Sequence, residues 1–169
     1  MVVISNALGF QLLWLLCVQG YNFVALSATA VALIAHWRWV AKYTDEWRLV
    51  LSFALFGLVS ESVVASLGFI VFHGAIDLQP IGLAISIAPP WLVCLWALMA
   101  ITLRHSLMFL AERTLLTVGL ALFFVPLSYF AGAKFSGSSL VSPMYLALLV
   151  EALVWALVLP VAMVFVRPR

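Results

Sequence analysis

Apolar residues along this chain come in long runs, and polar residues are confined to short gaps between them. The first run covers about Val2 to Gln19, and Gly20, Tyr21 and Asn22 read as a tight turn. The second covers about Phe23 to Trp39 and ends at Lys42, Tyr43, Thr44, Asp45 and Glu46. The third covers about Trp47 to Phe72, followed by a longer connection, Gly74 to Ala88, that carries Asp77 and Pro80. The fourth opens at Pro89 and Pro90, which suit a first helical turn, and ends near Leu110. Beyond Glu112 and Arg113, a fifth run covers about Thr114 to Ala133, with Pro126 as an expected kink. The Gly/Ser-rich stretch Lys134 to Ser142 separates it from a sixth, about Pro143 to Val166.

Each run is close to the roughly 20 residues that a membrane-crossing helix needs. Backbone groups in lipid must pair within the protein, so the choice lies between helices and a closed barrel. Barrel strands would alternate apolar and polar residues over about ten positions, and these longer runs do not alternate. The predicted fold class is therefore all-α: a polytopic transmembrane helix bundle of about six spans, forming a single integral-membrane domain over residues 1–169. Composition agrees, with 67% hydrophobic and 8% charged residues, against about 25% charged in a typical soluble domain. A soluble globule this short has too little interior to hide so much apolar surface. The net charge of +2 and the lack of a basic cluster argue against a nucleic-acid partner. The first run has no Lys or Arg ahead of it, so it is expected to be a retained span and not a cleaved signal.

Charge then suggests an orientation. With six spans, Arg38, Lys42, Arg48, Arg104, Arg113, Arg167 and Arg169 fall on or near one side, and Lys134 alone on the other. Basic connections stay in the cytoplasm, so both termini are expected there. Trp37, Trp39 and Trp47 flank the same boundary, as interfacial aromatic residues do. The expected location is a bacterial inner membrane, crossed several times.

Four ionisable residues sit inside the runs, where lipid disfavours them: Glu61, Arg104, His105 and Glu151. At the helical rise, Glu61 and Glu151 both lie about 21 Å from the cytoplasmic edge, and Arg104 about 12 Å, with His105 slightly lower. Gly57, Glu61, Ala65 and Gly68 share a stripe of small residues, a mark of close helix contact in membranes. Glu61 is thus expected to face other helices. Thr117, Ala121, Ser128 and Gly132 form a similar stripe on the fifth run, with Ser128 and Tyr129 near the carboxylate layer. Asn6 and Gln11 place polar groups on the first run, Gln11 near the level of Arg104. These residues predict one buried polar pocket holding Glu61, Arg104, His105, Glu151, Ser128, Tyr129 and Gln11. Within it, Arg104 is expected to pair with one carboxylate, or else with Gln11 or a bound anion. Two ionised carboxylates cannot sit close together in a low dielectric, so at least one is expected to carry a proton. The alternative role for the same groups is interhelical glue without chemistry.

Other features are weaker. His36, Trp37, Arg38 and Trp39 suit a headgroup layer, but equally an ordinary interfacial anchor. His73 and Asp77 supply only two ligands, too few for a metal site. Cys17 and Cys94 show no metal spacing and read as packing residues, with a cross-link between helices left open. No metal and no cofactor is expected. Hydrolase, metalloprotease and nucleotide-binding motifs are all missing from the sequence.

Four stretches carry a family resemblance: NALGFQLLWLLCVQG (Asn6 to Gly20), TLRHSL (Thr102 to Leu107), PLSYFAGAKFSG (Pro126 to Gly137) and EALVWALVLP (Glu151 to Pro160). Together they resemble a family of small bacterial inner-membrane proteins classed as a domain of unknown function, over nearly the whole chain. The region around Glu61 carries no part of that resemblance, so its role rests on physics alone. The resemblance implies relatives that often sit near lipid-modifying genes, such as cyclopropane-fatty-acid synthase homologues, and so points towards lipid chemistry or envelope stress without establishing an activity. Three functions are therefore weighed. The first is binding or transfer of a membrane lipid or small amphiphile through the polar pocket. The second is a non-catalytic subunit or scaffold with a membrane-protein partner. The third is an intramembrane lipid-modifying enzyme using Glu61 or Glu151 as acid or base and Arg104 to hold an anion.

Overall fold

The computed structural model describes residues 2–166. Arg167 and Arg169, part of the predicted charge asymmetry, lie outside the described residues. Six α-helices carry the chain: α1 (Val2–Cys17), α2 (Asn22–Ala35), α3 (Glu46–Ser66), α4 (Pro90–Leu103), α5 (Thr114–Ser136) and α6 (Met144–Val166). Four of the apolar segments, Asn22–Val40, Glu46–Ser66, Thr114–Ser136 and Met144–Val166, are long and apolar enough to cross a membrane, whereas α1 and α4 are shorter. Their apolar side chains point outward as often as inward: Leu115 is 90% and Phe23 83% exposed. In water so much exposed apolar surface would drive association; against lipid it needs no cover.

The connections show how the helices alternate. At one end, the turn after α1 meets those after α3 and α5. Gly20 takes a left-handed φ of +76°, and a Cβ there would sit 3.1 Å from the His73 ring and 3.3 Å from the Ser136 carbonyl oxygen. Two-residue strands pair at this end as well. β1 (Ile70–Val71) runs antiparallel to β4 (Ser139–Leu140), and β2 (Ile76–Asp77) to β3 (Ser86–Ile87). The apolar pattern does not predict these strands. They form because the chain leaving a helix must still pair its backbone groups; β1 and β4 do so between two connections, and β2 and β3 within one. Ser62 and Ser66, in the last turns of α3, accept from the backbone N–H groups of Ala88 and Ser86 and hold β3 against that helix. At the opposite end, the connection after α2 meets the one after α4.

The fourth helix is the centre of the bundle. Ten of its 14 residues are buried, and it packs against α1, α2, α3 and α6. It ends at Leu103, not near Leu110, and Arg104 to Ala111 continue as turns and a short 3-10 helix (Met108–Leu110). An Asn6 cap explains this stop. Asn6 Nδ2 of α1 donates to the Ile101 carbonyl (3.2 Å), and Asn6 Oδ1 accepts from Ser106 Oγ (2.7 Å) and Ser106 N (3.4 Å). The orphan groups of a helix end thus find partners on a neighbouring helix. Cys17 and Cys94 are both free and buried in the apolar core.

Candidate functional site

The predicted single pocket separates into two buried polar centres. Glu61, Tyr129 and Glu151 come together in one. Arg104 and His105 belong to the other, because α4 unwinds before them and their side chains turn toward the start of α3. The depth expected for Arg104 assumed an unbroken helix down to Glu112.

The first centre draws on four helices. Glu61 comes from α3, Trp96 from α4, Tyr129 from α5, and Glu151 with Trp155 from α6. Trp96 Nε1 donates to Glu61 Oε1 at 2.9 Å, and the Tyr129 hydroxyl donates to the same oxygen. Trp155 Nε1 donates to the Tyr129 hydroxyl at 3.3 Å, and the two indoles stack with centroids 4.1 Å apart. Gly57, one turn before Glu61, makes room for this arrangement: a Cβ at that position would overlap the Trp96 ring. Glu61 and Glu151 are each 1% exposed and interact directly. Yet Glu61 Oε2 and both Glu151 oxygens have no donor among the described residues. Two carboxylates offer one another only acceptors, and their contact becomes a hydrogen bond when one of them holds a proton.

Beside this centre lies a cavity of about 680 Å³. Phe10, Gln11 and Trp14 of α1 line one side, and Thr117, Ala121, Ser128 and Gly132 of α5 line the other. Trp96, Tyr129 and Trp155 form part of its wall, whereas Glu61 and Glu151 lie behind them. The small-residue stripe of α5 therefore faces a space for most of its length. It approaches α1 at the end where a Cβ on Gly132 would come within 3.7 Å of Val18, and where Trp14 meets Phe135 edge to face. Ser128 and Gln11 belong to this cavity and not to the carboxylate contact.

The second centre joins the ends of α2 and α4 to the start of α3. After Ala35 the chain makes a π-helical turn, His36–Val40, closed by Ala41 N donating to the His36 carbonyl at 2.7 Å. Single π-helical turns inside helices often mark functional positions. Glu46 stands in the first turn of α3, where the helix dipole favours a carboxylate. Its Oε2 meets His36 Nε2 at 2.7 Å and His105 Nε2 at 3.1 Å, and its Oε1 accepts from the backbone N–H groups of Lys42 and Tyr43 at 3.1 and 3.2 Å. All three side chains are buried. Arg104 pairs with Asp45 through two contacts of 2.5 and 3.1 Å and lies over the Tyr43 ring. Its expected partners, Glu61, Glu151 or Gln11, are not the ones it takes. The guanidinium holds the Asp45 carboxyl below its ordinary value, chiefly through that hydrogen bond.

Sequence reasoning missed most of this second centre. His36 read as an anchor at the membrane boundary, and Glu46 as a loop residue. A usable signal was present: a buried His105 needs a partner, and the nearest acidic pair at the same end is Asp45 and Glu46. His73 and Asp77 do not form a centre. The His73 carbonyl accepts from Trp91 Nε1, and Asp77 Oδ1 accepts from Gln79 N. Among the described residues, His36, Glu46 and His105 form the group whose ligand atoms come close enough together to hold a metal, all within 4.8 Å of one another.

Comparison with known proteins adds a family. Residues 3–161 match the family described as "Protein of unknown function (DUF2878)", and the chain belongs to it. No curated protein and no solved structure matches the chain.

Proposed function

We propose that this membrane protein binds or transfers a lipid or small amphiphile, whose apolar part occupies the cavity between α1 and α5. The carrying observation is the cavity itself. Its volume of about 680 Å³ falls within the range of small-molecule sites, about 300–1,000 Å³. Its lining is largely aromatic and aliphatic, with Gln11, Ser128 and Tyr129 among the polar groups that could orient a headgroup, beside hydroxyls such as Thr117 and Ser136. A scaffold role would be better served by a filled and fully paired interior. The enzyme reading is less supported, because acid/base work needs a reacting atom within roughly 3 Å of the carboxylate and neither carboxylate lines the cavity.

The same reading makes the chain one integral-membrane domain of six spans with both ends in the cytoplasm of a bacterial inner membrane. Two observations support it. The connections after α1, α3 and α5 meet at one end, and the two basic connections meet at the other. Reporter fusions after Arg113 and after Lys134 should report opposite sides; the same side for both would overturn the six-span arrangement. For the ligand, native mass spectrometry of protein released from mild detergent should show a retained lipid. Ala121→Phe and Ser128→Leu should remove it while the chain stays helical and monodisperse. A bare wild-type chain, or filled variants that keep the same lipid, would overturn the binding reading.

A further inference from the structure

We infer that His36, Glu46 and His105 form a binding site for one divalent first-row transition-metal ion. This site is separate from the cavity and does not depend on what occupies it.

The donor set comes first. Two imidazoles and one carboxylate are the ligands of three-coordinate protein sites that leave positions open on zinc or non-haem iron. Here the three come from three different parts of the chain, the end of α2, the start of α3 and the end of α4. The fold itself makes the cluster, and sequence spacing hides it.

Geometry comes second. Glu46 Oε2 lies 2.7 Å from His36 Nε2 and 3.1 Å from His105 Nε2. A tetrahedral ion with bonds of about 2.0–2.1 Å holds its donors about 3.3 Å apart. The Glu46–His36 distance needs to lengthen by about 0.6 Å and the Glu46–His105 distance by about 0.2 Å to reach that spacing, and all donor atoms lie within 4.8 Å of one another. The rings stand nearly perpendicular, at 82°, and both present Nε2 to the same carboxylate oxygen.

Support from behind the ligands comes third. Glu46 Oε1 is fixed by two backbone N–H groups, so Oε2 is presented to the centre in one orientation. The Asp45–Arg104 pair holds the residues adjacent to Glu46 and His105, and the Asn6 cap fixes the turn that carries His105. Outer partners of this kind orient ligands and raise affinity.

In the metal-free geometry, hydrogens on the two Nε2 atoms fill the role of the ion by binding Glu46 Oε2. Metal binding requires each Nε2 to give up its hydrogen, by a shift to Nδ1 or by loss to solvent, and the ion then replaces both N–H···O contacts.

The test uses the full chain without a histidine tag, in detergent and stripped with a chelator. Titration with Co²⁺ should give saturable visible absorption at one ion per chain, reversed by Zn²⁺. His36→Asn, His105→Asn and Glu46→Gln should each weaken binding by more than about 100-fold, since loss of an outer partner alone costs 10–100-fold. His73→Asn, at the opposite end of the bundle, should leave it unchanged. X-ray absorption of the Zn²⁺-loaded wild type should show two imidazoles, a readout that does not depend on any variant folding. Absence of saturable binding, binding retained in both His36→Asn and His105→Asn, or a zinc shell without imidazole would each overturn the proposal.

Discussion

Two buried carboxylate centres stand at different heights in this bundle, and they are solved in opposite ways. Glu46 has donors for both of its oxygens, from two imidazoles and two backbone N–H groups. Glu61 receives both of its donors on one oxygen, and Glu151 receives none among the described residues. The first centre has what a buried anion needs. The second has more acceptors than donors, and only a proton or another donor can balance it. Buried polar groups are usually satisfied, and an unsatisfied one calls for an explanation. The difference is that the Glu46 centre is fully paired, while the Glu61–Glu151 contact leaves acceptors that a proton or a polar group would complete.

Removing acceptors should therefore do most harm where the donors are. Glu46→Ala should lower stability by about 3–5 kcal/mol, because it strands partners in a buried ionic network. Thermal unfolding in a single detergent measures it, and a loss near zero would mean the cluster is not closed. Disturbing the second centre sterically should come next. Gly57→Ala pushes a Cβ into Trp96 and should cost about 1–3 kcal/mol, with a change in tryptophan emission as the stacked indoles shift.

The sharpest contrast is one substitution made in both places. Glu46→Gln puts an NH₂ donor or a weaker acceptor where four donors already converge, and should cost about 1–3 kcal/mol. Glu151→Gln brings an N–H to the donor-poor side, so stability should stay level or rise by up to about 1 kcal/mol. Equal losses at both sites would mean that the two centres are equally paired. If Glu61→Gln and Glu151→Gln are also stable and keep any retained lipid, the pair joins helices without further chemistry.

The smallest effect belongs to Asp45. Its folded-state value is depressed by Arg104, so its contribution is present above the unfolded aspartate value, about 3.9, and fades as pH falls through the lower folded value. The carboxyl is half exposed, at 48%, which keeps the effect small. The difference in unfolding temperature between wild type and Asp45→Asn should be present at neutral pH and vanish in acid. A difference that grows on acidification would contradict the sign.

Much of the fold was legible because lipid imposes a simple rule on sequence. Runs of apolar residues became α1 to α6, with the hairpin turns at Gly20 and Arg113 close to their expected places. What the runs could not show is how helices neighbour one another. Equal depth along separate helices put Glu61 and Glu151 in one layer, and the structure has them in contact. The same reasoning placed Arg104 below them, and failed once α4 stopped at Leu103. The stop depends on Asn6, about a hundred residues earlier in the chain, and no local pattern around Leu103 announces it. Small residues on α5 likewise read as a contact face, and most of them border a space. Size alone does not distinguish a close neighbour from a cavity.

The Asn6 cap also has a consequence for how the molecule is made. α1 leaves the ribosome long before α4, yet among the described residues the Asn6 amide has partners only at Ile101 and Ser106. Until those residues arrive, Asn6 must face lipid, bind water at the boundary, or be sheltered by another protein. The first helix is thus laid down early but seated late, after α2 and α3 have entered. A nascent chain halted before Ser106 has left the ribosome should hold α1 loosely, open to cross-linking by insertion factors, and one long enough to release Ser106 should lock it in place.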